Sequence, residues 1–168
     1  MRLKSSSTFE NGSQRTRRMT FLLATLRCEL QRSRRNCEQL AADGDLLFGR
    51  FDLGHSVRIL VNLVENAHKY APKDTPIELS ACRDGDRIDV RVADRGPGLA
   101  LTESERAFEP FNRSPGLPPD VGGAGLGLAI ARRLAEAQSA SLRYESRAGG
   151  GSVFTYSFPA VEFTPDAG

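Results

Sequence analysis

The sequence predicts an α+β domain, a two-layer α/β sandwich in which a mixed, mostly antiparallel sheet carries its helices on one face. Three observations predict it. Two segments, residues 56–71 and 126–137, place apolar side chains at helical spacing. The strand-like runs between and after them come in pairs joined by short turns, whereas a doubly wound sheet would alternate single strands with helices. The 168 residues, 39% of them hydrophobic, suffice for one core, and no apolar run approaches the roughly 18 residues needed to cross a bilayer.

The elements follow in chain order. Residues 1–18, rich in Ser, Arg, Asn and Gly, show no hydrophobic period and read as disordered. Residues 19–42 carry partial helical marks at Leu22, Leu23, Leu26, Leu30 and Leu40, with a strand near Thr20–Leu26 equally compatible. Leu46–Phe48 is a short apolar step between turns. In the helix Ser56–Ala71, Val57, Leu60, Val61, Val64, Ala67 and Ala71 fall within one arc of roughly 120°, the expected core face, with Asn62, Asn66 and Lys69 on the opposite side. Pro72 ends it. Ile77–Cys82 and Arg87–Ala93 alternate in type across Arg83-Asp-Gly-Asp86 and predict a hairpin, with Cys82 as a small core residue. Thr102 with Glu105 has the spacing of a capping box for a short helix. Asn112–Gly123, with three Pro and three Gly, is a loop. Leu126–Ala137 is the second helix, and Ser141–Ser146 pairs with Ser152–Phe158 around Gly149-Gly150-Gly151. The chain thus divides into a basic, partly disordered leader or remnant (1–45), a folded domain (46–160) and a tail (161–168).

Charge is unevenly spread. Residues 1–37 hold nine Lys/Arg against two Glu, or +7, and the remainder holds fourteen Lys/Arg against nineteen Asp/Glu, or −5. A basic arm can bind nucleic acid or anionic lipid. Without Trp, aromatic interleaving or a basic repeat, no nucleic-acid partner is expected and the arm reads as a solvated leader. Met19–Leu26 after Arg15, Arg17 and Arg18 loosely has the form of a signal peptide, but Arg27, Glu29 and Arg32 follow without a cleavage site. Three cysteines, Cys28, Cys37 and Cys82, fit neither a disulfide framework nor a metal spacing, so a reducing cytoplasm is expected.

Four motifs can carry chemistry. Asp94-Arg-Gly-Pro-Gly98 follows a strand, where a fixed carboxylate can accept a hydrogen bond from a purine amino group; alone, it is equally a plain turn. Gly122-Gly-Ala-Gly-Leu-Gly-Leu128 opens a helix whose unpaired N–H groups suit phosphates. It lacks the preceding strand of a dinucleotide fold and the Lys-Ser/Thr of a P-loop, and alone it is also a flexible hinge. Asn62 and Asn66, four apart, point the same way and offer amide oxygens to Mg²⁺, with Lys69 a turn further on for phosphate; alone, they are also a solvated face. Phe108-Glu-Pro-Phe111 can anchor a loop or sit in the core.

In this order and spacing the four motifs resemble the histidine-kinase branch of the GHKL ATPase superfamily, over roughly residues 46–159. Asn62-Leu-Val-Glu-Asn-Ala-His-Lys-Tyr70 is similar to its N box, Asp94-Arg-Gly-Pro-Gly98 to its G1 box, Phe108–Phe111 to its F box and Gly123-Ala-Gly-Leu-Gly-Leu128 to its G2 box, with Gly151-Ser-Val-Phe154 similar to the terminal glycine motif. The Pro-rich lid and Gly-rich ending resemble the KdpD kinases. The resemblance implies the Bergerat fold, with ATP and Mg²⁺ as ligands. It implies catalytic roles for Asn62, Asn66 and Lys69, magnesium binding by Asn66 and Asn62, and phosphate contacts from Lys69 and Arg113. Tyr70 would pack near adenine or ribose, and Asp94 would accept the adenine amino group, with Gly96 and Gly98 shaping the pocket. Gly123, Gly125 and Gly127 would line the phosphates and Leu126 would grip the lid, 112–122, with Leu128 beside it in the G2 box. In the gyrase and MutL branch a Glu stands where this chain has Asn62; an amide is no general base, so fast hydrolysis is not expected. The implied reaction is phosphoryl transfer to a histidine. That histidine would lie on a dimerisation domain in cis or trans, with a response regulator as indirect partner in a two-component phosphorelay.

The sequence departs from the family in places. Its only histidines, His55 and His68, lie outside any acceptor setting, so autophosphorylation by this chain alone is not expected. Ala124 removes a hydroxyl from the G2 box, and Ser139-Ala140 replaces a Gly pair, leaving the second helix less cleanly capped. Two alternatives share the pocket: a regulatory module that binds ATP without transfer, and a serine kinase of the anti-sigma type.

Overall fold

In the computed structural model, the described residues are 15–18, 22–23, 25–26, 39–42, 47–100, 102–112 and 125–162. Seven strands form one sheet: β1 (Arg15–Arg18), β2 (Gln39–Ala42), β3 (Phe48–Phe51), β4 (Glu78–Asp84), β5 (Arg87–Ala93), β6 (Ser141–Ser146) and β7 (Ser152–Val161). The order is β1-β3-β7-β5-β4-β2, with β6 also on β7, and every pairing is antiparallel except β2 with β4. The helices α1 (Leu53–Tyr70) and α2 (Gly127–Glu136) pack on one face of it.

β7 organises the sheet. One edge pairs with β5 over Val153–Pro159; the other pairs with β6 over Ser152–Ser157 and with β3 at Ala160–Val161. Ala160 donates to Asp86 on the β5 side, so the nitrogen of Pro159 points to the gap between β6 and β3, where a missing N–H costs nothing. Alternation sends Ile88, Val90 and Val92 of β5, and Phe154, Tyr156 and Phe158 of β7, into the core beneath the helices. The other face is polar. Asp89, Thr155 and Ser157 are buried there, Asp89 under Arg143 (3.1 Å) and Arg91 (3.8 Å), while Arg87 Nε donates to Ser157 Oγ at 2.8 Å. Cys82, expected in the core, lies half-buried on this polar face, paired with Asp89.

Asp52 starts α1, its carboxylate accepting the His55 N–H at 2.8 Å, three residues before the expected start. The buried face consists of Ser56, Ile59, Leu60, Leu63, Val64 and Ala67, turned by roughly 60° from the expected arc at 100° per residue. Val57 and Val61 are only half-buried. The physical reason is that α1 packs on both the sheet and α2, so its apolar arc is set by two neighbours. Ser56 tolerates burial because its hydroxyl bonds the Tyr156 hydroxyl at 2.7 Å. The Asn62–Asn66 stripe therefore flanks the buried face rather than opposing it.

Other expectations are corrected. Arg15–Arg18, read as disordered, forms β1 against β3, and Leu22, Leu23 and Leu26 are helical and buried in the core, so part of the supposed leader belongs to the fold. The short helix expected from Thr102 is replaced, among the described residues 102–112, by turns and a 3-10 turn, Arg106–Phe108, without a side-chain cap. Of the Phe108–Phe111 pair only Phe108 is buried, edge-on to Phe154 and under Arg132, while Phe111 is 73% exposed. Ser139 closes α2 from the left-handed region (φ +58°), letting Ala140 N–H reach Ala135 C=O at 3.0 Å. Among the described residues no helix is long and apolar enough to cross a membrane.

Candidate functional site

The site is assembled around α1. Asn62 lies in its middle, 6% exposed, with its amide nitrogen lacking a partner among the described residues. A buried amide without a partner is costly unless a ligand supplies one. Its Oδ1 lies 4.0 Å from the position a Cβ on Gly127 would take, so the first residue of α2 passes directly beside it. α2 has no side-chain cap: Ile130 donates to Leu126, which leaves the N–H groups of Gly127, Leu128 and Ala129 at the free positive end of the helix. Asn66, one turn on, is half-buried. Among the described residues no three His, Cys, Asp or Glu side chains cluster as a metal site.

The other end of α1 meets the strand-end motif. A Cβ on Gly96 would lie 3.0 Å from both the Tyr70 carbonyl oxygen and Asp94 Oδ1. Lys69 Nζ sits 4.7 Å from the centroid of the half-buried Tyr70 ring. Asp94 is 2% exposed, and its carboxylate accepts the Gly96 N–H at 2.7 Å. Burial pushes its pKa up, against the opposing pull of the Gly96 and Ser152 hydrogen bonds and the Arg147 charge. The carboxylate is thus buried and held in position, and in its ionised form it is purely a hydrogen-bond acceptor, with about four lone-pair sites.

The two described segments that flank residues 113–124 meet: Phe111, at φ +62°, donates its N–H to Gly125 C=O at 3.1 Å, and Gly125 (φ +67°) presses on Asn112, where a Cβ would lie 2.7 Å from the carbonyl oxygen. Leu126 is half-buried beside this clasp, and Leu128 packs against the core, so Leu128 offers a ligand its backbone alone. Arg113, Gly123 and Ala124, with nearly all of the predicted lid, lie outside the described residues.

Sequence reasoning missed the residues that brace Asp94 from afar. Arg147 donates from Nη2 to both carboxylate oxygens of Glu78, at 2.7 Å each, and from Nη1 to the Asp94 carbonyl at 3.3 Å. Asp94 N–H donates to Ser152 C=O at 3.0 Å, and the Tyr144 hydroxyl accepts the Leu99 N–H at 2.7 Å. These partners stand 45 to 69 positions apart, and no local spacing announces them.

This layout, a helix joining a buried carboxylate to an amide beside a glycine-opened helix, is the architecture of one ATPase class. The family described as histidine kinase-, DNA gyrase B- and HSP90-like ATPase matches residues 52–162, and the chain belongs to it. Within that class its likeness is to sensor histidine kinases, and it is an ATP-binding domain of that type. It is 41% identical to the sensor-like histidine kinase SenX3 of Mycolicibacterium smegmatis over 109 residues, 64% of this chain and 28% of that protein. It is 36% identical to the sensor protein KdpD of Mycobacterium tuberculosis over 114 residues, 68% of this chain and 13% of that protein. The chain therefore spans about a quarter or less of these relatives. Among solved structures, the mycobacterial sensor histidine kinase MprB superposes with a TM-score of 0.74 at 22% identity, covering 89% of this chain and 99% of that one. Full-length ShkA in complex with AMPPNP superposes at 0.73 with 29% identity, covering 91% of this chain and 32% of that one.

Proposed function

We propose that this chain is the catalytic domain of a two-component sensor histidine kinase, which binds Mg-ATP between α1 and α2 and delivers the γ-phosphoryl group to a histidine on a dimerisation domain, in cis or in trans. The observation that carries the proposal is the partnerless buried amide of Asn62 beside the free N-terminus of α2, on the helix whose far end abuts Asp94. The eight steps along the helix from Asn62 to Tyr70 rise about 12 Å, a distance that an extended nucleoside triphosphate bridges.

In this reading Asp94 accepts the adenine amino group, while Gly96 lets the Tyr70 carbonyl and the Asp94 carboxylate close on the motif and Gly98 lets the Gly151 backbone and the Tyr144 hydroxyl do so, which shapes the pocket wall. The N–H groups at the start of α2 receive phosphate oxygens, as do Lys69 and Arg113. The Asn66 and Asn62 amide oxygens are suitable hard donors for magnesium, which when bound neutralises phosphate charge. The acceptor imidazole nitrogen forms a bond to γ-phosphorus as the bond to the bridging oxygen of ADP breaks, giving phosphohistidine and ADP. The domain's part is positioning and charge, and Asn62 supplies no base to activate water. The folded unit is read as running from β1 to β7. It acts in the cytoplasm, and a response regulator receives the phosphoryl group afterwards; the solved complex of ThkA with the response regulator TrrA is one assembly of that kind.

Calorimetry with Mg-ATP, followed by labelled ATP with a purified acceptor-helix domain, tests the proposal. Saturable binding and an acid-labile product, both lost in Asn66→Ala, are expected. Binding without transfer to any acceptor would instead make this a regulatory nucleotide module, and an acid-stable phosphoserine would make it a serine kinase.

A further inference from the structure

We propose that Arg147, gripped by Glu78, is a positioning residue for base recognition: it holds the Asp94 segment in place and sets the pH range in which Asp94 discriminates between bases. The inference rests on the reading of Asp94 as the acceptor for the adenine amino group. The β6–β7 turn and the strand-end motif exchange arginines. Arg147 reaches from the turn to Glu78 and the Asp94 carbonyl, and Arg95 reaches back to the carbonyls of Ala148 (2.9 Å) and Gly150 (3.2 Å). Arg147 is 14% exposed, so its charge acts across a poorly solvated path. The bidentate grip on Glu78 fixes the plane of the guanidinium.

The charged and polar groups around Asp94, among the described residues, can be named element by element. The β6–β7 turn gives Arg147, and β4 gives Glu78 through it. β7 gives Ser152, and the motif itself gives the Gly96 N–H. Arg95 is committed to the turn carbonyls, and α1 presents the Tyr70 backbone, with Lys69 lying over the Tyr70 ring. Arg147 is thus the one guanidinium acting on the Asp94 carboxylate among them. Its removal has two effects of the same sign: the favourable cation disappears, and the Glu78 carboxylate is left unneutralised nearby. Both disfavour the ionised form of Asp94. Removing the Glu78 charge alone does the reverse, because Arg147 is then unneutralised.

The test compares the affinities of Mg-ATP and Mg-inosine triphosphate for the full chain across a pH series that runs downward from neutral as far as the protein stays folded. The two nucleotides share a triphosphate, so its own titration cancels in the ratio. Ionised Asp94 accepts from the adenine amino group and repels the inosine carbonyl; protonated, it can donate to that carbonyl, so the preference for ATP collapses on the acid side. In Arg147→Ala this collapse is expected at higher pH than in wild type, with ATP affinity several-fold weaker at neutral pH. In Glu78→Gln it moves the other way, and in Arg147→Lys, which keeps the charge but not the grip, ATP binds more weakly with the collapse near its wild-type pH. Should Arg147→Ala not fold, the opposed behaviour of Glu78→Gln and Arg147→Lys carries the test. Equal weakening of both nucleotides at every pH in all variants would reduce Arg147 to a structural brace and overturn the inference. Wild-type protein that binds ATP, and loses its base preference in Asp94→Asn, upholds the underlying reading in either case; wild-type protein that binds no ATP overturns both.

Discussion

Gly151→Ala tests how tightly the closing turn and the Asp94 carboxylate are joined. Gly151 has φ +117°, and a Cβ built there would lie 2.1 Å from the Asp94 carbonyl oxygen and 3.0 Å from Arg95 Cα. A carbon–oxygen contact needs about 3.2 Å, so the Asp94 segment must retreat by about 1 Å or the turn must open. Either movement pulls apart the Asp94–Ser152 backbone bond (3.0 Å) and re-aims a carboxylate now held 2.7 Å from the Gly96 N–H. Backbone strain of about 1–3 kcal/mol adds to about 1 kcal/mol for a weakened buried hydrogen bond. The expected loss of stability is about 2–4 kcal/mol. Urea unfolding reads the stability, and Mg-ATP calorimetry on the folded fraction reads affinity, which is expected to fall at least tenfold. A variant with wild-type midpoint and affinity would show that the turn and Asp94 are not mechanically joined, and the account of the site given above would fail.

Three further outcomes follow from other contacts. Ser139→Gly is expected to stabilise the domain by about 0.5–1 kcal/mol in thermal or urea unfolding, because an exposed residue at φ +58° carries a left-handed penalty that glycine lacks. Tyr156→Phe strands the buried Ser56 hydroxyl and is expected to cost about 1–2 kcal/mol; Ser56→Ala combined with it should cost less than the sum of the single changes, and an additive cycle would refute the pair. The third concerns pH. Burial raises the folded-state pKa of Asp94 above its ordinary value, so its contribution to apo stability is fully present below the unfolded pKa and is lost as pH rises through the folded one. Asp94→Asn should therefore lack that decline and unfold at higher urea than wild type at neutral pH while binding ATP more weakly, and an Asn variant less stable than wild type would contradict this.

Fold class was legible along the linear chain, and so was the list of candidate site residues. Helical spacing located α1 and α2, turn chemistry placed the β4–β5 and β6–β7 pairs, and four short motifs named Asn62, Asn66, Asp94 and the glycines, because such signals act within a few residues of one another. Tertiary structure alone decided how these parts face. The two neighbours of α1 rotated its buried arc and brought Asn62 against Gly127; the long return of β7 put Arg147, Ser152 and Gly151 around Asp94. The same limit hid β1, since Arg15–Arg18 has no alternating pattern of its own and becomes a strand by pairing with the edge of β3. Strand pairing and helix packing join residues tens of positions apart, and the energy that selects among such contacts resides in the assembled core, beyond any local window of the chain.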